Sequence, residues 1–380
     1  MRILLVGDYP NDPRLGSTKV FAKLQEEFRA LGHTCDVLLA DELGVFPRNR
    51  FARQLLEPVM AAAAVRRAFR EFGPYDVVDI ASAEGLWLAA FRRVGLFGAA
   101  VISRSNGLEH LNYERMLADA KAGLWKKPLT RRWWYPAARL SQVAMTARLA
   151  DRLILLNQHD REFALAQGWK PEASIDIVEH GVSTKFVAGA PPADQPRGRG
   201  ILFCGTWDHM KGIRYLAAAF SHLVAEGRAA NLTILGGGVP EATIRAAFSA
   251  DSQPHLTVTD RVSEDEVIAA YRAHDVMAMT SSYEGFGMVL LEAMTQRLPV
   301  VSTPVGFARA IVRHEETGLV VPPRDTDALA AALARLLDDR ALRVSLADRA
   351  FDAVRGMTWS RSAVATVAVY QRALGSNGRH

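Results

Sequence analysis

The sequence predicts an α/β protein with two doubly wound domains, and three observations support that prediction. Short apolar runs that suit buried strands, such as residues 3–6 and 276–279, are followed by segments with apolar residues at helical spacing. The length of 380 residues exceeds what one small core holds, since domains average roughly 150 residues. Residues 187–200 are rich in proline and glycine, as a linker would be. We expect one domain over residues 1–186 and another over 201–357.

The composition is that of a soluble globular protein, with 49% hydrophobic and 23% charged residues. No apolar run approaches the ~18 residues that span a bilayer, and the opening apolar run is too short for a secretory leader. We therefore expect a cytoplasmic protein. Cys35 and Cys204 show no spacing typical of zinc sites or disulfide frameworks, so we expect buried, reduced thiols.

Basic residues are concentrated between positions 101 and 150. This segment has nine lysines and arginines against three acidic residues, an excess of six that is larger than the net charge of +5 for the whole chain. Within residues 121–139 the cations alternate with tryptophan and tyrosine, which suits a peripheral position on the inner face of an anionic membrane. The same residues could stack on single-stranded nucleic acid or form a solvated face over their own aromatic rings. We keep the membrane surface as the functional hypothesis and expect no nucleic-acid partner.

The first forty residues predict one β-α-β unit. Residues 1–6 form an apolar strand, residues 7–16 are rich in turn formers, and residues 35–39 form the next strand. The helix between the strands can begin with Ser17 as its cap and ends at Gly32. Its apolar face consists of Val20, Phe21, Leu24, Phe28 and Leu31. The loop lacks G-x-G-x-x-G and so carries no dinucleotide fingerprint.

Two further strands are expected at residues 75–80 and 99–103, with a helix over 85–94 between them. The second strand leads into a polar loop with Asn106 and, further on, Glu109 and His110. An asparagine can bond to a sugar hydroxyl but cannot carry a proton near neutral pH, whereas a histidine can. His110 is equally compatible with a structural role, which is common for a lone histidine.

The second half of the chain repeats the pattern of strand, turn and helix. The expected strands are residues 201–205, 230–235 and 255–262, the turns are 206–212 and 236–238, and an acidic helix start covers 263–266. Further helices are expected over residues 325–337 and 357–374.

The most informative stretch is residues 281–294, which follows an apolar strand and leads into a helix. In a parallel sheet such a turn lies at the carboxyl edge, where the helix offers N–H groups and its positive dipole end to an anion. Gly285 and Gly287 let a ligand approach the backbone, and Glu284 and Glu292 can accept bonds from vicinal hydroxyls. A ligand that carries both a phosphate group and vicinal hydroxyls fits the description of a sugar nucleotide. The alternative is that Glu284 is a helix-start acid and Glu292 a solvated helix residue.

The setting E-G-F-G-x-x-x-x-E-A, here with Glu284 and Glu292, resembles the signature of the family 4 glycosyltransferases, also called glycosyl transferases group 1. Residues 299–306 and 317–323 are similar to the same family. The resemblance covers nearly the whole chain, and it is specific in the second half and loose in the first. It implies the GT-B fold, in which two Rossmann-like domains face a central cleft and a C-terminal helix, here residues 358–376, returns to the N-terminal domain. It also makes residues 150–157 and 175–182 the last two strands of the first domain.

The resemblance implies where a nucleotide-sugar donor would bind. Lys211, followed by Gly212, matches a family lysine that neutralises the donor diphosphate, and its alternative is an ordinary surface lysine. Thr206 stands where an arginine is usual, so Arg214 or Arg14 would have to replace that charge. The implied donor-binding residues are Gly16, Ser17, Thr206, Lys211, Arg261, Val262, Glu284, Gly285, Phe286, Gly287 and Glu292.

For catalysis the resemblance implies Glu284, Lys211, Asn106 and His110. Glu284 would hold sugar hydroxyls, while Glu292 would hold the ribose. Asn106 stands where many relatives have a histidine that reaches the transferred sugar, and an amide cannot act as an acid or a base.

We therefore expect a retaining transferase that moves a hexose from a UDP- or GDP-linked donor to a glycan, a lipid-linked or a small-molecule acceptor. No carboxylate pair has metal-binding spacing, so we expect neither a metal ion nor another cofactor. The alternatives are a homologue that binds nucleotide sugars without transfer, an epimerase or phosphorylase of the same fold, and a nucleic-acid-binding protein.

Overall fold

The computed structural model describes residues 1–12, 15–124, 129–228 and 230–375, without the side chains of residues 50 and 129–131. The chain forms two compact units. The first comprises Met1–His180 together with the segment that starts at Trp359, and the second comprises Gly181–Thr358.

The first unit is built on six parallel strands. These are β1 (Arg2–Val6), β2 (Thr34–Leu38), β3 (Val77–Ala81), β4 (Ala100–Arg104), β5 (Arg152–Leu155) and β6 (Ile175–Ile177). They form one sheet in the order β2-β1-β3-β4-β5-β6. Every residue of β3 and β4 is buried, as expected for central strands of a parallel sheet that helices cover on both faces.

Helices connect these strands, which is why the strands can all run in the same direction. The helices are α1 (Gly16–Ala30), α2 (Ala40–Leu43), α3 (Arg50–Phe72), α4 (Leu86–Arg93), α5 (Glu109–Lys121), α6 (Leu129–Tyr135), α7 (Ser141–Leu149) and α8 (Gln158–Ala166). Two irregular turns matter below: a 3₁₀ turn at Ser82–Gly85 and a π-helical turn at Pro136–Leu140.

The second unit repeats this plan with six more parallel strands. They are β7 (Ile201–Cys204), β8 (Leu232–Leu235), β9 (Leu256–Thr259), β10 (Val276–Met279), β11 (Val300–Ser302) and β12 (Leu319–Val320), in the order β12-β11-β10-β7-β8-β9. The helices are α9 (Thr184–Ala188), α10 (Ile213–Ala225), α11 (Glu241–Arg245), α12 (Glu264–Ala273), α13 (Met288–Thr295), α14 (Ala308–Ile311), α15 (Thr326–Asp338) and α16 (Arg340–Val354). The predicted α/β class with two doubly wound sheets is therefore confirmed.

The proline- and glycine-rich segment at residues 187–200 packs as part of the second unit. Arg197 holds it there, because its guanidinium donates to the backbone carbonyls of Tyr271, His274, Gln296 and Arg297 at 2.6–3.2 Å. A segment without periodicity can thus be fixed by one side chain that satisfies several helix-end carbonyls.

The last helix, α17 (Trp359–Gly375), returns to the first unit and packs against α1 and β4. Tyr370 on this helix donates to Asp79 Oδ2 at 2.6 Å, and Asp79 also pairs with the fully buried Arg104. A buried ion pair needs further hydrogen bonds to offset its desolvation, and the tyrosine supplies one. The predicted return of the C-terminal helix is confirmed.

The start of α1 differs from the prediction. The helix begins at Gly16, and the residue before it, Leu15, makes no side-chain capping bond, so the expected cap at Ser17 is wrong. Thr18 Oγ1 instead donates to the carbonyl of Pro10 at 2.7 Å and ties the helix to the preceding loop. By contrast, the acidic start predicted at residues 263–266 is a capping box, in which Ser263 and Glu266 bond to each other's backbone N–H.

Two expectations for the whole chain are answered in part. Cys35 and Cys204 are both free, but only Cys35 is buried, whereas Cys204 is half-buried. Among the residues that the structure describes, no helix combines the length and the apolar character needed to cross a membrane.

Candidate functional site

The loops that follow β7 and β10 lie side by side at the carboxyl edge of the second sheet. The chain enters this sheet at β7, adds β8 and β9 on one side, and then crosses to β10 on the other. Ligands of open α/β sheets bind where the strand order reverses in this way. At this point the structure brings together Lys211 from one loop and Glu284 from the other.

Lys211 and Glu284 form a direct ion pair. Lys211 Nζ donates to Glu284 Oε1 at 2.6 Å, and Ser281 Oγ donates to the same oxygen at 2.7 Å. The Glu284 side chain is only 9% exposed, whereas that of Lys211 is 24% exposed. A carboxylate with this little exposure needs such partners, and charge-assisted bonds of this length hold it firmly in one orientation.

A close backbone approach at Gly212 fixes Lys211 against the second loop. Gly212 has a left-handed φ of +70°, and a Cβ at this position would lie 1.9 Å from the carbonyl oxygen of Thr280. Thr280 Oγ1 in turn donates to the carbonyl of Lys211 at 2.8 Å, and the N–H of Ser282 donates to the carbonyl of Met210 at 2.8 Å. Only glycine fits between the loops at this point.

Helix α13 begins directly after the glycine-rich turn. Gly287 is its N-cap residue and has a left-handed φ of +95°. Phe286 stacks on Phe307 with ring centroids 4.6 Å apart, which anchors the turn to the loop after β11. The turn therefore presents the N-terminal end of α13 at the same edge of the sheet as Lys211 and Glu284.

Glu292 is buried inside α13 and is only 6% exposed, so it is not a solvated helix residue. Tyr271 Oη donates to Glu292 Oε2 at 3.1 Å, and burial raises the pKa of this tyrosine, which stays protonated. Glu284 likewise receives side-chain bonds from Lys211 and Ser281, which a plain helix-start acid would not need. Both alternatives for the glutamate pair are therefore disfavoured.

Thr206 and Arg261 both lie close to Gly238, in the loop after β8. A Cβ placed on Gly238 would lie 3.1 Å from Arg261 Nη2 and 3.8 Å from Thr206 Cγ2. The Arg261 guanidinium and the exposed Thr206, where the family resemblance would place an arginine, thus both lie near Gly238. Val262 follows it and is half-buried. Of the two predicted substitutes, Arg214 is exposed with its guanidinium 5.8 Å from the ring of Tyr215, and Arg14 lies outside the described residues.

The remaining predicted residues belong to the first unit. Gly16 is exposed and Ser17 half-buried at the start of α1, while Asn106 Nδ2 donates to Tyr9 Oη at 3.0 Å. His110 packs its ring against Trp169 and Phe163, with centroids 4.7 and 5.8 Å away. Burial lowers the pKa of His110 to about 4, so the imidazole is neutral near pH 7. These contacts support the structural role for His110.

The basic stretch is described only in part, because residues 125–128 and the side chain of Arg131 lie outside the described residues. Trp133 is 72% exposed, and the Arg132 guanidinium lies 5.6 Å from the centre of its ring. Arg139 does not belong to a basic surface, because its guanidinium is half-buried against Glu57 and Glu109. Counting it as a surface charge was wrong.

Sequence reasoning missed the side chains that support these residues. Ser281 and Tyr271 hydrogen-bond to the two glutamates and orient them. In the first unit it missed Glu57 and Glu84 entirely. Glu84 could have been found, because it comes four residues after the predicted strand at residues 75–80, and Asn106 comes three residues after the next predicted strand.

The two parallel sheets and the position of the site at the switch point place this chain among proteins with the two-domain GT-B fold. The structure is similar to that of sucrose-phosphate synthase from Thermosynechococcus elongatus, with a TM-score of 0.78, 22% identity and coverage of 99% of both chains. It is also similar to WaaG, a glycosyltransferase of lipopolysaccharide biosynthesis, with a TM-score of 0.72, 16% identity and coverage of 97% of this chain and 98% of that one. At these identities the likeness establishes the fold.

Sequence similarity to curated glycosyltransferases adds to the likeness in fold. The chain is 31% identical over 265 residues to a D-inositol 3-phosphate glycosyltransferase from Kineococcus radiotolerans, covering 63% of this chain and 61% of the relative. It is 34% identical over 219 residues to a phosphatidyl-myo-inositol mannosyltransferase from Mycolicibacterium smegmatis, covering 56% of each. The matches thus span about three-fifths of the length of these relatives. Residues 198–339 match the family Glycosyl transferases group 1, so the resemblance to this family is confirmed over this part of the second unit.

Proposed function

We propose that this chain is a glycosyltransferase that moves a sugar from a UDP- or GDP-linked donor to an acceptor hydroxyl with retention of the anomeric configuration. The observation that carries the proposal is the Lys211–Glu284 pair at the switch point of the second sheet, beside the start of α13. The family match over residues 198–339 and the activities of the curated relatives support it.

The second unit would stabilise the leaving nucleotide diphosphate. As the bond to the sugar breaks, negative charge develops on the phosphate oxygens, and preorganised positive groups lower the barrier most at that moment. Lys211 and the positive end of α13 would supply this stabilisation. Arg261, which like Thr206 lies close to Gly238, would supply the charge of the arginine that the family resemblance implies at position 206.

Donor binding would exchange the partners of the ion pair. Lys211 would turn to phosphate, and the Glu284 carboxylate, still held by Ser281, would accept a bond from a sugar hydroxyl. Glu292, held by Tyr271, would accept bonds from the ribose. The exchange leaves no buried charge without a partner, which is the condition for binding without a large desolvation cost.

The first unit would bind the acceptor. Asn106, bonded to Tyr9, would bond a sugar hydroxyl but transfer no proton, and the neutral His110 is a poor proton carrier near pH 7. A donor phosphate oxygen would then accept the proton of the acceptor. We propose no metal ion in this step, because Lys211, Arg261 and α13 would supply the positive charge.

A binding protein without transfer activity is the second candidate, because Thr206 and Asn106 both depart from the family pattern. Ligand-induced stabilisation separates the candidates in two stages. We expect either the UDP or the GDP series, with and without a sugar, to raise the melting temperature, since a ligand at about 100 times its Kd stabilises by about 2.7 kcal/mol. ADP and its sugars serve as the matched control.

Stabilisation by no member of the panel contradicts a donor site altogether. Stabilisation without release of free nucleotide diphosphate in the presence of candidate acceptors supports the binding protein. Turnover of the nucleotide sugar with no acceptor present would indicate the epimerase or phosphorylase alternative.

We also propose that the first unit docks on an anionic membrane surface. Exposed Trp133 and Arg132 on α6 are accompanied by exposed apolar residues on the first half of α3, namely Phe51, Leu55, Leu56 and Val59. The two helices meet where Phe51 packs edge-on against Trp134, at 5.5 Å between ring centroids. Rings and cations on one face suit the headgroup region of a bilayer.

Replacing Arg132 and Trp133 together by alanine should weaken binding to vesicles with anionic phosphatidylserine about tenfold, since each cation contributes about 1 kcal/mol near such a surface. Vesicle co-sedimentation measures this. The matched control removes one cation and one exposed ring elsewhere, in the double variant Arg309→Ala with Phe72→Ala. Equal binding of both double variants, or no binding by the unaltered protein, contradicts the docking surface.

A further inference from the structure

The first sheet has a switch point of its own, and carboxyl groups surround it. The chain enters this sheet at β1, adds β2 on one side and then crosses to β3 on the other. Asp8 follows β1, Glu84 lies in the 3₁₀ turn after β3, and Glu109 starts α5 beyond β4, while Glu57 comes from α3. We call Asp8, Glu57, Glu84 and Glu109 the carboxyl cluster. It occupies the place in the first sheet that the Lys211–Glu284 pair occupies in the second.

Arg139 lies at the centre of the carboxyl cluster, on the π-helical turn. Its guanidinium donates to Glu57 Oε2 at 2.8 Å and to Glu109 Oε1 at 3.0 Å, and it lies 3.6 Å from Glu84 Oε2. Arg53 pairs with Asp8, and Tyr135 Oη donates to Glu109 at 2.7 Å. Among the described side chains, four carboxyl groups therefore share two guanidinium groups, which leaves an excess of acceptors.

Three oxygen atoms at this place lack a donor. Asp8 Oδ1 and Asn106 Oδ1 are buried without a hydrogen-bond partner among the described residues. The Asp8 side chain is only 9% exposed. Glu84 Oε2 has no bond to a nitrogen, and Glu84 is within bonding reach of the carboxyl of Glu57. Two carboxyl groups in contact need a proton or a cation between them. The unmet requirement is for hydrogen-bond donors with positive charge.

Several occupants are unsuitable for such a site. An anion such as a phosphorylated group would be repelled by the four carboxyl groups. Within the described ranges, no group of three or more His, Cys, Asp or Glu side chains is arranged to hold a metal ion. A neutral polyol supplies donors but does not offset the excess charge. An ammonium group supplies three donors and one positive charge, and it has no acceptor that needs a partner.

We infer that the carboxyl cluster with Asn106 and Tyr9 binds an ammonium group of the substrate, so that the acceptor of the proposed transfer is an amino-bearing hydroxyl compound. The buried Glu57 and Glu84 form the floor of this site. Tyr9, Asn106 and Glu109 are half-buried and so are partly exposed to solvent. The identification as acceptor rests on the proposed transferase function, whereas the binding of an ammonium group does not.

Proton exchange gives this site a pH dependence with a definite sign. Burial, followed by the charge of Glu84, raises the pKa of Glu57 to about 9, and burial raises that of Glu84 as well. The groups that face Glu57 are Asp8, Glu84 and Arg139, with Tyr9, Arg53, Glu109 and Tyr135 one contact further away. At a pH between 4.5, the usual pKa of a glutamate, and about 9, the ligand-free folded protein therefore keeps a proton on Glu57. The unfolded chain has lost this proton in the same pH range. An ammonium ion would displace that proton, so its affinity should increase with pH in this window.

The experiment compares two rings that differ in one group, trans-4-aminocyclohexanol and trans-1,4-cyclohexanediol, by titration calorimetry at about pH 6 and about pH 8. The amine stays protonated at both pH values, as a lysine does. We expect the amine to bind at least about tenfold more tightly than the diol, as hydrogen bonds between charged groups predict. Its affinity should increase by up to about tenfold per pH unit, the limit for one displaced proton. Glu57→Gln should weaken amine binding and remove its pH dependence, while Glu114→Gln, an exposed glutamate on α5, should change neither.

Equal affinity for the two rings, a pH-independent affinity for the amine, or amine binding unchanged in Glu57→Gln would each overturn the inference. If Glu57→Gln does not fold, Glu84→Gln and the two-ring comparison on the unaltered protein still decide it. The UDP and GDP series is measured on the same samples. Stabilisation by a nucleotide without amine binding leaves the proposed function intact and rejects the ammonium site, and the opposite result rejects the donor site alone.

Discussion

Replacing Glu284 by glutamine is expected to lower kcat for sugar transfer by about a hundredfold to a thousandfold, which is the usual effect of removing one preorganised polar group. Glutamine keeps the shape and can still accept the bond from Ser281, but it loses the negative charge that holds Lys211 in the free protein and that, in the proposed complex, would orient the sugar. Lys211→Met should produce a loss of similar size, because it removes positive charge from the phosphate site. Initial rates with the nucleotide sugar identified by the binding panel measure both.

The two replacements should not be additive. In the proposed complex Lys211 and Glu284 hold two parts of one donor molecule, so the double variant should lose less than the product of the two single losses, as groups that act as one unit do. Glu316→Gln, at an exposed position in the same unit, is the matched control and should transfer at the normal rate. Turnover that survives in a folded Glu284→Gln protein would contradict the proposed role of this loop.

Gly212→Ala is expected to give the largest loss of stability, about 2–6 kcal/mol. A non-glycine residue at a left-handed φ costs roughly 1–3 kcal/mol, and a forced overlap in a packed region adds about 1–3 kcal/mol more. Both apply here, since φ is +70° and the new Cβ would lie 1.9 Å from the carbonyl oxygen of Thr280. Urea denaturation of the second unit measures the effect.

The chain contains a matched control for the cost of placing a non-glycine residue at a left-handed φ. Gly227, also in the second unit, has a φ of +75° with nothing within 4 Å of a Cβ placed on it. Gly227→Ala should therefore cost only about 1–2 kcal/mol. Equal losses at the two positions would show that the contact between the loops of Gly212 and Thr280 contributes nothing.

The sequence predicted the second unit better than the first for a physical reason. Its informative turn is local: an apolar strand, two glycines and a helix start lie within about twenty residues, and short-range steric rules decide their shape. The pairing of Lys211 with Glu284 joins residues 73 positions apart. Only the resemblance to a family placed these two residues at one site, and it did not reveal their direct contact.

The errors arose where several local solutions have similar energies. A serine near a helix start predicts a cap, yet at α1 the helix begins at Gly16 and Thr18 makes the bond that fixes it. Arg139 was counted with the surface cations because composition does not show which side of a helix faces the protein. Its partners, Glu57 and Glu109, come from helices 82 and 30 residues earlier in the chain.

The return of α17 to the first unit has a consequence for synthesis of the protein. Asp79 and Arg104 emerge early from the ribosome, but the tyrosine that completes their buried network, Tyr370, is added 291 residues after Asp79. The N-terminal unit therefore cannot close its core in the usual order of translation, and its nascent form must wait while the whole second unit is made. A stop codon before residue 359 would leave an intact second unit attached to a first unit that lacks its final helix.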